Sequence, residues 1–132
     1  MLNQNNPTEL AEYFSEIQKR FGYDFDFSIE SLKTELDKFL NENLNLNEFA
    51  QTVLEPMLTS YIGETLCRNY NAEWNGSFRG SLSLNGANYY DSWIDINGNK
   101  FWPSHFVESY LNNGKEEKSF SEYISIKITE FE

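Results

Sequence analysis

The stretch "YIGETLCRNYNAEW", residues 61–74, joins a long helical pattern to a segment of different composition. Apolar side chains recur up to this point at spacings of three and four, which predicts one buried helix face. Gly63 lies on that face, where glycine destabilises a helix by about 1 kcal/mol relative to alanine. A glycine in such a place usually lets another backbone approach closely. We therefore expect a strand that begins near Trp74 to cross the helix at Gly63.

The residue after Gly63 allows two interpretations. Arg68 follows Glu64 by four residues, so the two side chains can form a helix-surface ion pair worth roughly a few tenths of a kcal/mol. Alternatively, Glu64 points inward and accepts a hydrogen bond from strand backbone or from a tryptophan N–H. In both cases the segment is a structural junction between the helices and a sheet.

A first helix is predicted at the start of the chain. Asn6 is a good N-cap, Pro7 suits the first helical position, and Gly22 is the expected stop. The predicted apolar stripe of this helix consists of Leu10, Tyr13, Phe14, Ile17 and Phe21.

Two more helices are predicted before residue 74. The segment "YDFDF", residues 23–27, alternates aromatic and acidic residues, so it is expected to be extended with its aspartates on a solvated face. A second helix begins after the cap residue Ser28. A third runs over residues 46–66, with Asn45 as its cap and Pro56 expected to kink or divide it.

The composition changes after Trp74 to glycine, asparagine and aromatic residues. Three Asn-Gly dipeptides, at 75–76, 85–86 and 97–98, are turn signals. The short alternating runs between them predict an antiparallel meander of three or four strands, with the clearest hairpin at the last dipeptide. Pro103 ends the meander and begins a short helix.

The end of the chain is ambiguous between two structures. Ser119 and Glu122 form a capping-box pattern, whereas the alternating isoleucines of residues 120–131 suit a strand. The whole pattern predicts a single α+β domain over residues 1–132. In it, N-terminal helices pack on a three- to four-stranded antiparallel meander, with one or two short C-terminal helices.

The charge of the chain limits its partners. There are 21 acidic and 10 basic residues, for a formal net charge of −11. This disfavours nucleic acids and anionic membranes, and it favours a basic protein partner, although acidity can also serve solubility alone. With one cysteine, no secretory signal and no membrane-spanning run, a cytoplasmic location is expected.

No motif in the sequence specifies a reaction. The loop "DINGNK", residues 95–100, lacks the glycine and glutamate positions of a calcium-binding EF-hand, so a hairpin turn is preferred. Cys67 and His105 are the single residues of their types, and a nucleophilic pair between them is a minor hypothesis. One Cys and one His fall short of a zinc site. We expect no metal and no cofactor.

The stretch "YIGETLCRNYNAEW", the strands after it and "FWPSHFVESYLNNG" together resemble a group of small bacterial domains of unknown function. The resemblance covers roughly residues 55–125 and implies a Gly-Glu helix, a closing tryptophan, a meander and a proline before a short helix. The residues that carry it are Gly63, Glu64, Trp74, Pro103 and Gly114. It implies no catalytic residues. By size and acidity alone, the chain is also similar in type to the immunity proteins of bacterial toxin systems.

Three hypotheses for function follow. The leading one is a non-catalytic, acidic, cytosolic protein-binding domain, specifically an immunity protein that neutralises a basic toxin. Its candidate partner contacts are Glu12, Glu16, Glu30 and Glu35. The second is a small-molecule-binding or enzymatic domain with an aromatic groove, whose candidate residues are Trp93, Trp102 and Arg79. The third is a structural subunit without a site of its own.

Overall fold

The computed structural model describes residues 6–43, 48–77, 91–114 and 118–132. These residues form helices and a small sheet. In chain order the elements are α1 (Pro7–Lys19), α2 (Ile29–Lys33), α3 (Glu35–Glu42), α4 (Glu48–Tyr70), β1 (Trp74–Ser77), β2 (Asp91–Ile96), β3 (Asn99–Phe101), α5 (Pro103–Ser109), a π-helical turn (Tyr110–Gly114) and α6 (Phe120–Phe131).

Helix α1 begins as the sequence predicts. The side chain of Asn6 accepts hydrogen bonds from the backbone N–H groups of Thr8 and Glu9, at 3.0 and 3.2 Å. The predicted apolar stripe is only partly right, because Tyr13 is 40% exposed and Phe21 is 71% exposed. Helix α1 ends at Lys19, before Phe21, and its buried face consists of Leu10, Ala11 and Phe14.

The segment between α1 and α2 keeps its predicted alternation. Tyr23 and Phe25 are buried, and Asp24 and Asp26 are exposed. The helix predicted after Ser28 is in fact two helices, α2 and α3, which meet at Thr34. The hydroxyl of Thr34 donates to the carbonyl of Glu30 at 3.0 Å, a bond that competes with regular helix geometry.

Helix α4 continues through Pro56 and is not divided there. A proline removes one helical hydrogen bond, but buried side chains on both sides, such as Leu54 and Leu58, hold the helix against the core. Asn71, with a φ of 52°, follows the last residue of α4 in the left-handed conformation common at helix ends. The predicted cap of α4, Asn45, lies outside the described residues.

The described strands form a three-stranded antiparallel sheet in the order β1-β2-β3. Its register aligns Trp74 with Ile94 and Ile94 with Phe101, so these three side chains share one face. The hairpin predicted at Asn97 and Gly98 is confirmed. Their φ angles of 50° and 83° are both positive, as a type I′ turn requires. The turn predicted at Asn75 and Gly76 is wrong, because both residues lie within β1 and pair with β2. The Asn-Gly pair at 85–86 lies outside the described residues.

The C-terminal segment is helical. Pro103 is at the start of α5, as predicted, and Gly114 is the last residue of the π-helical turn. For α6, Ser119 is the N-cap, and its hydroxyl accepts from the backbone N–H of Glu122 at 3.2 Å. The helical interpretation of residues 120–131 is therefore the correct one.

Most buried apolar side chains belong to one cluster that extends from Phe14 to Phe131. Helix α4 is central to it, because α4 contacts α1, α2, α5, β1 and β2. Aromatic rings fill much of this core; for example, the ring centroids of Phe25 and Tyr61 are 5.0 Å apart. The α+β architecture with N-terminal and C-terminal helices is confirmed, and helices dominate it.

Candidate functional site

The Gly-Glu pair of α4 holds the indole of Trp74. A Cβ on Gly63 would overlap the Cη2 and Cζ2 atoms of that ring, and it would lie 3.1 Å from Cζ3. The close approach predicted at Gly63 is therefore real, but the neighbour is a side chain rather than strand backbone. Only glycine leaves room for the ring at this position.

Glu64 satisfies both of its predicted interpretations at once. It is 7% exposed. Its Oε1 accepts from the indole N–H of Trp74 at 3.2 Å and from the hydroxyl of Thr8 at 2.8 Å, while Oε2 accepts from Nε of Arg68 at 3.0 Å. A buried carboxylate with several donors is well stabilised. We therefore assign Gly63, Glu64 and Trp74 to structure: they join α1, α4 and β1.

Cys67 and His105 have different surroundings. Cys67 is buried, and its burial, with smaller contributions from Glu64 and Glu73, raises the pKa of the thiol to about 12. His105 is exposed and stacks on Trp102, with ring centroids 5.3 Å apart and an interplanar angle of 10°. At neutral pH Cys67 is a protonated thiol, which is a poor nucleophile. This disfavours nucleophilic catalysis by the pair.

An acidic groove lies beside α2. We use this name for a cavity of about 190 Å³ lined by seven residues, four of them carboxylates: Asp24, Asp26, Ser28, Glu30, Ser31, Thr34 and Glu35. No basic side chain is among these described lining residues. Two of the predicted partner contacts, Glu30 and Glu35, thus line the same cavity. The two aspartates of the preceding segment line it as well.

Hydrogen bonds fix two of the four carboxylates. Asp26 accepts from the hydroxyl and the backbone N–H of Ser28, at 2.6 and 3.1 Å. The bond from the Ser28 hydroxyl is the main reason why the pKa of Asp26 is lowered, against the opposing effect of burial. Glu35 accepts from the backbone N–H of Asp24 at 3.1 Å. Asp26 is therefore held in its charged form next to the groove.

The backbone beside the groove has an unusual conformation at Phe27. Its φ of 64° is left-handed, which is rare for a bulky residue and implies strain that the surroundings must offset. The backbone N–H of Phe27 donates to the Tyr61 hydroxyl at 3.1 Å, and its carbonyl accepts from the Asn69 amide at 2.9 Å. The guanidinium of Arg68 lies 3.9 Å from the centroid of its ring. Helix α4 thus fixes the backbone between Asp26 and Ser28, two residues that line the groove.

The other two predicted partner contacts lie on α1. Glu12 and Glu16 are both exposed. Glu12 is 3.9 Å from the guanidinium of Arg68, the same group that covers the ring of Phe27, but Glu12 does not line the groove. The exposed Tyr13 and Phe21 lie on or just after the same helix. Glu16 does not line the groove.

A second surface contains two of the three predicted aromatic groove residues. The ring centroids of Trp93 and Trp102 are 5.2 Å apart, and the amine of Lys100 lies 4.2 and 5.0 Å from them. Arg79, the third predicted residue, lies outside the described residues. Beside Trp102 is a cavity of about 270 Å³, which we call the aromatic cleft. Its lining residues are Lys100, Phe101, Trp102, His105, Phe106, Ser109, Tyr123 and Lys127.

Sequence reasoning missed several residues of these surfaces. The sequence predicts a solvated face for Asp24 and Asp26, and it gives no link between Trp102 and either Tyr123 or Lys127. Tyr61 could have been predicted to form a buried hydrogen bond, because a tyrosine within an apolar helix stripe must find a partner for its hydroxyl. It does so at the Phe27 N–H and at the Ser31 hydroxyl, 2.6 Å away.

Within the described parts of the chain, no group of three or more His, Cys, Asp or Glu residues is arranged to hold a metal ion. No helix found there has both the length and the apolar character needed to cross a bilayer.

Comparison with known proteins found no matching family model, no matching curated protein and no matching solved structure. Any proposal for function therefore depends on the acidic groove and the aromatic cleft.

Proposed function

We propose that the protein is a non-catalytic binding domain that uses the acidic groove to bind a basic protein, as an immunity protein binds a toxin. The observation that carries this proposal is the convergence of Asp24, Asp26, Glu30 and Glu35 on one cavity without a basic lining residue. Four carboxylates in one concave site focus a negative potential outward. A lysine or arginine of a partner would relieve their mutual repulsion.

The groove is suited to binding without a large rearrangement. The bonds from Ser28 to Asp26 and from the Asp24 N–H to Glu35 hold these carboxylates in place before a partner arrives. Preorganised groups lose less side-chain entropy on binding, so more of the electrostatic attraction appears as affinity.

Exposed groups on or just after α1 offer further contacts to a partner. Phe21 and Tyr13 are large exposed rings, and such rings are frequent anchors at protein–protein contacts. Glu12 and Glu16 add exposed negative charge on the same helix. The proposed partner is therefore a basic protein that contacts both the groove and α1, and a cytoplasmic location suits this role.

The test is a pulldown from the lysate of the native host, at low and at moderate salt, with bound proteins identified by mass spectrometry. The bait is compared with a groove variant, Asp24→Lys with Glu30→Lys, and with a control variant, Glu73→Lys with Glu130→Lys. Both variants change the net charge equally, but neither control position lines the groove. A basic protein that elutes with salt and that is lost only with the groove variant supports the proposal. Recovery of the same proteins by all three baits would refute it.

A further inference from the structure

The aromatic cleft is formed where the β2–β3 hairpin, α5 and α6 meet. Lys100 comes from β3, His105 and Phe106 from α5, and Tyr123 and Lys127 from α6. Phe106, at 6% exposure, is a buried part of the wall, as is Phe101 at 4%. The cleft therefore has a rigid apolar base that belongs to the hydrophobic core, with polar side chains at its opening.

The charge of the cleft is opposite to that of the chain. The net charge is −11 and acidic residues outnumber basic residues 21 to 10, yet the described lining of the cleft has two lysines and no carboxylate. Glu130 pairs with Lys127 at 3.0 Å from outside the cleft, and this pair is at the surface, where such pairs contribute little stability. Asp95 is the cross-strand partner of Lys100. A ligand anion can therefore compete for both amines.

Lys100 is already positioned for a ligand. Its amine lies over the rings of both Trp93 and Trp102, at 4.2 and 5.0 Å from their centroids. Such cation–π contacts hold a side chain that would otherwise be mobile. Because the lysine is held near the opening of the cleft, binding an anion there costs less conformational entropy than at an ordinary surface lysine.

The shape and chemistry of the cleft limit its ligand. The cavity of about 270 Å³ is just below the usual range of about 300–1,000 Å³ for small-molecule sites, which favours a small ligand. A second cavity of about 280 Å³ shares Phe106, Tyr123 and Lys127 with it and adds Lys118, Ile126 and Glu130, the carboxylate that pairs with Lys127. An inorganic anion would use the lysines but not the rings, and a neutral ring would use the apolar wall but not the lysines.

We infer that the aromatic cleft binds a small organic anion with one aromatic ring, such as an aromatic carboxylate. The ring of the ligand lies against Phe106 and Tyr123, and the carboxylate lies between the amines of Lys100 and Lys127. This function is separate from binding of a basic protein at the acidic groove, since the two sites share no lining residue.

The experiment uses benzoate as the probe, with benzyl alcohol and inorganic phosphate as comparison compounds, in calorimetric titrations of the full chain. We expect saturable binding of benzoate at least about tenfold tighter than binding of either comparison compound, because only benzoate uses both parts of the site. Equal binding of benzoate and benzyl alcohol would overturn the inference, and so would the absence of saturable benzoate binding.

Lysine variants locate the site. Lys100→Met and Lys127→Met should each weaken benzoate binding by about tenfold, because each removes one charge that faces the carboxylate. The control is Lys38→Met, since the amine of Lys38 lies 5.4 Å from the ring centroid of Tyr23 but outside the cleft. Thermal melts show that each variant is folded. Equal loss in all three variants, or no loss in the two cleft variants, would contradict the inference. The basic partner should bind both cleft variants as well as the wild type, so the two proposals fail separately.

Discussion

The contact between Gly63 and Trp74 predicts that alanine at residue 63 destabilises the protein. In an unobstructed helix, Gly63→Ala would stabilise by about 1 kcal/mol. Here the new Cβ overlaps the indole, so the ring must move. Overpacking of this kind costs about 1–3 kcal/mol, and losing a hydrogen bond to a charged group costs about 1.5–3 kcal/mol. After subtraction of the propensity gain of about 1 kcal/mol, we expect a net loss of about 1.5–5 kcal/mol.

Urea unfolding, followed by far-ultraviolet circular dichroism, measures this loss. The control is the same change in a Trp74→Ala background, where the indole is absent. There Gly63→Ala should recover the ordinary helix gain of about 1 kcal/mol, so the two changes should be coupled by about 2.5–6 kcal/mol. Stabilisation by Gly63→Ala in the wild type, or additive effects in the cycle, would refute the role assigned to Gly63.

Three further predictions concern the residues around the core and the groove. Tyr61→Phe should destabilise the protein by about 1–3 kcal/mol, because it leaves the Phe27 N–H without its acceptor. Urea unfolding measures this loss, and an unchanged unfolding midpoint would contradict the prediction. Native Cys67 should react with a thiol reagent at neutral pH far more slowly than the unfolded chain does, since its pKa is about 12; equal rates would show an accessible thiolate. Folding lowers the pKa of Asp26 below its unfolded value of about 4. The ionised carboxylate therefore contributes its full stabilisation above about pH 4, and this stabilisation is lost as the pH falls through the lower pKa of the folded state. Asp26→Asn should accordingly flatten the acid side of the stability profile, and an unchanged profile would refute this.

Local signals predicted much of the fold. The caps at Asn6, Ser28 and Ser119, the hairpin at residues 97–98 and the helix at Pro103 are all present, because each depends on the chemistry of a few adjacent residues. Predictions were wrong where tertiary contacts decide the outcome: Tyr13 and Phe21 are exposed, and the division that Pro56 allowed does not occur. Helix α4 passes Pro56 because packing along the rest of the helix outweighs one missing hydrogen bond.

The contacts of Glu64 and the two candidate surfaces were harder to predict, because they depend on residues far apart in sequence. The Gly-Glu pair indicated a close approach, but one partner of Glu64 is Thr8, which is 56 residues away in sequence. The acidic groove depends on the left-handed turn at Phe27, a conformation typical of glycine or asparagine that nothing in a phenylalanine signals. The aromatic cleft needs α5 and α6 to meet the hairpin, and the helical form of residues 120–131 was itself ambiguous.

The measurement that tests the central claim most directly is the affinity of the basic protein recovered at low salt for three forms of this chain: the wild type, the Asp24→Lys/Glu30→Lys variant and the Glu73→Lys/Glu130→Lys variant. Titrations at two salt concentrations separate charge effects from apolar ones. The account predicts that the groove variant loses at least about tenfold in affinity, that the control loses much less, and that added salt narrows the difference. Equal affinities for the groove and control variants, or binding insensitive to salt, would contradict a partner site in the acidic groove.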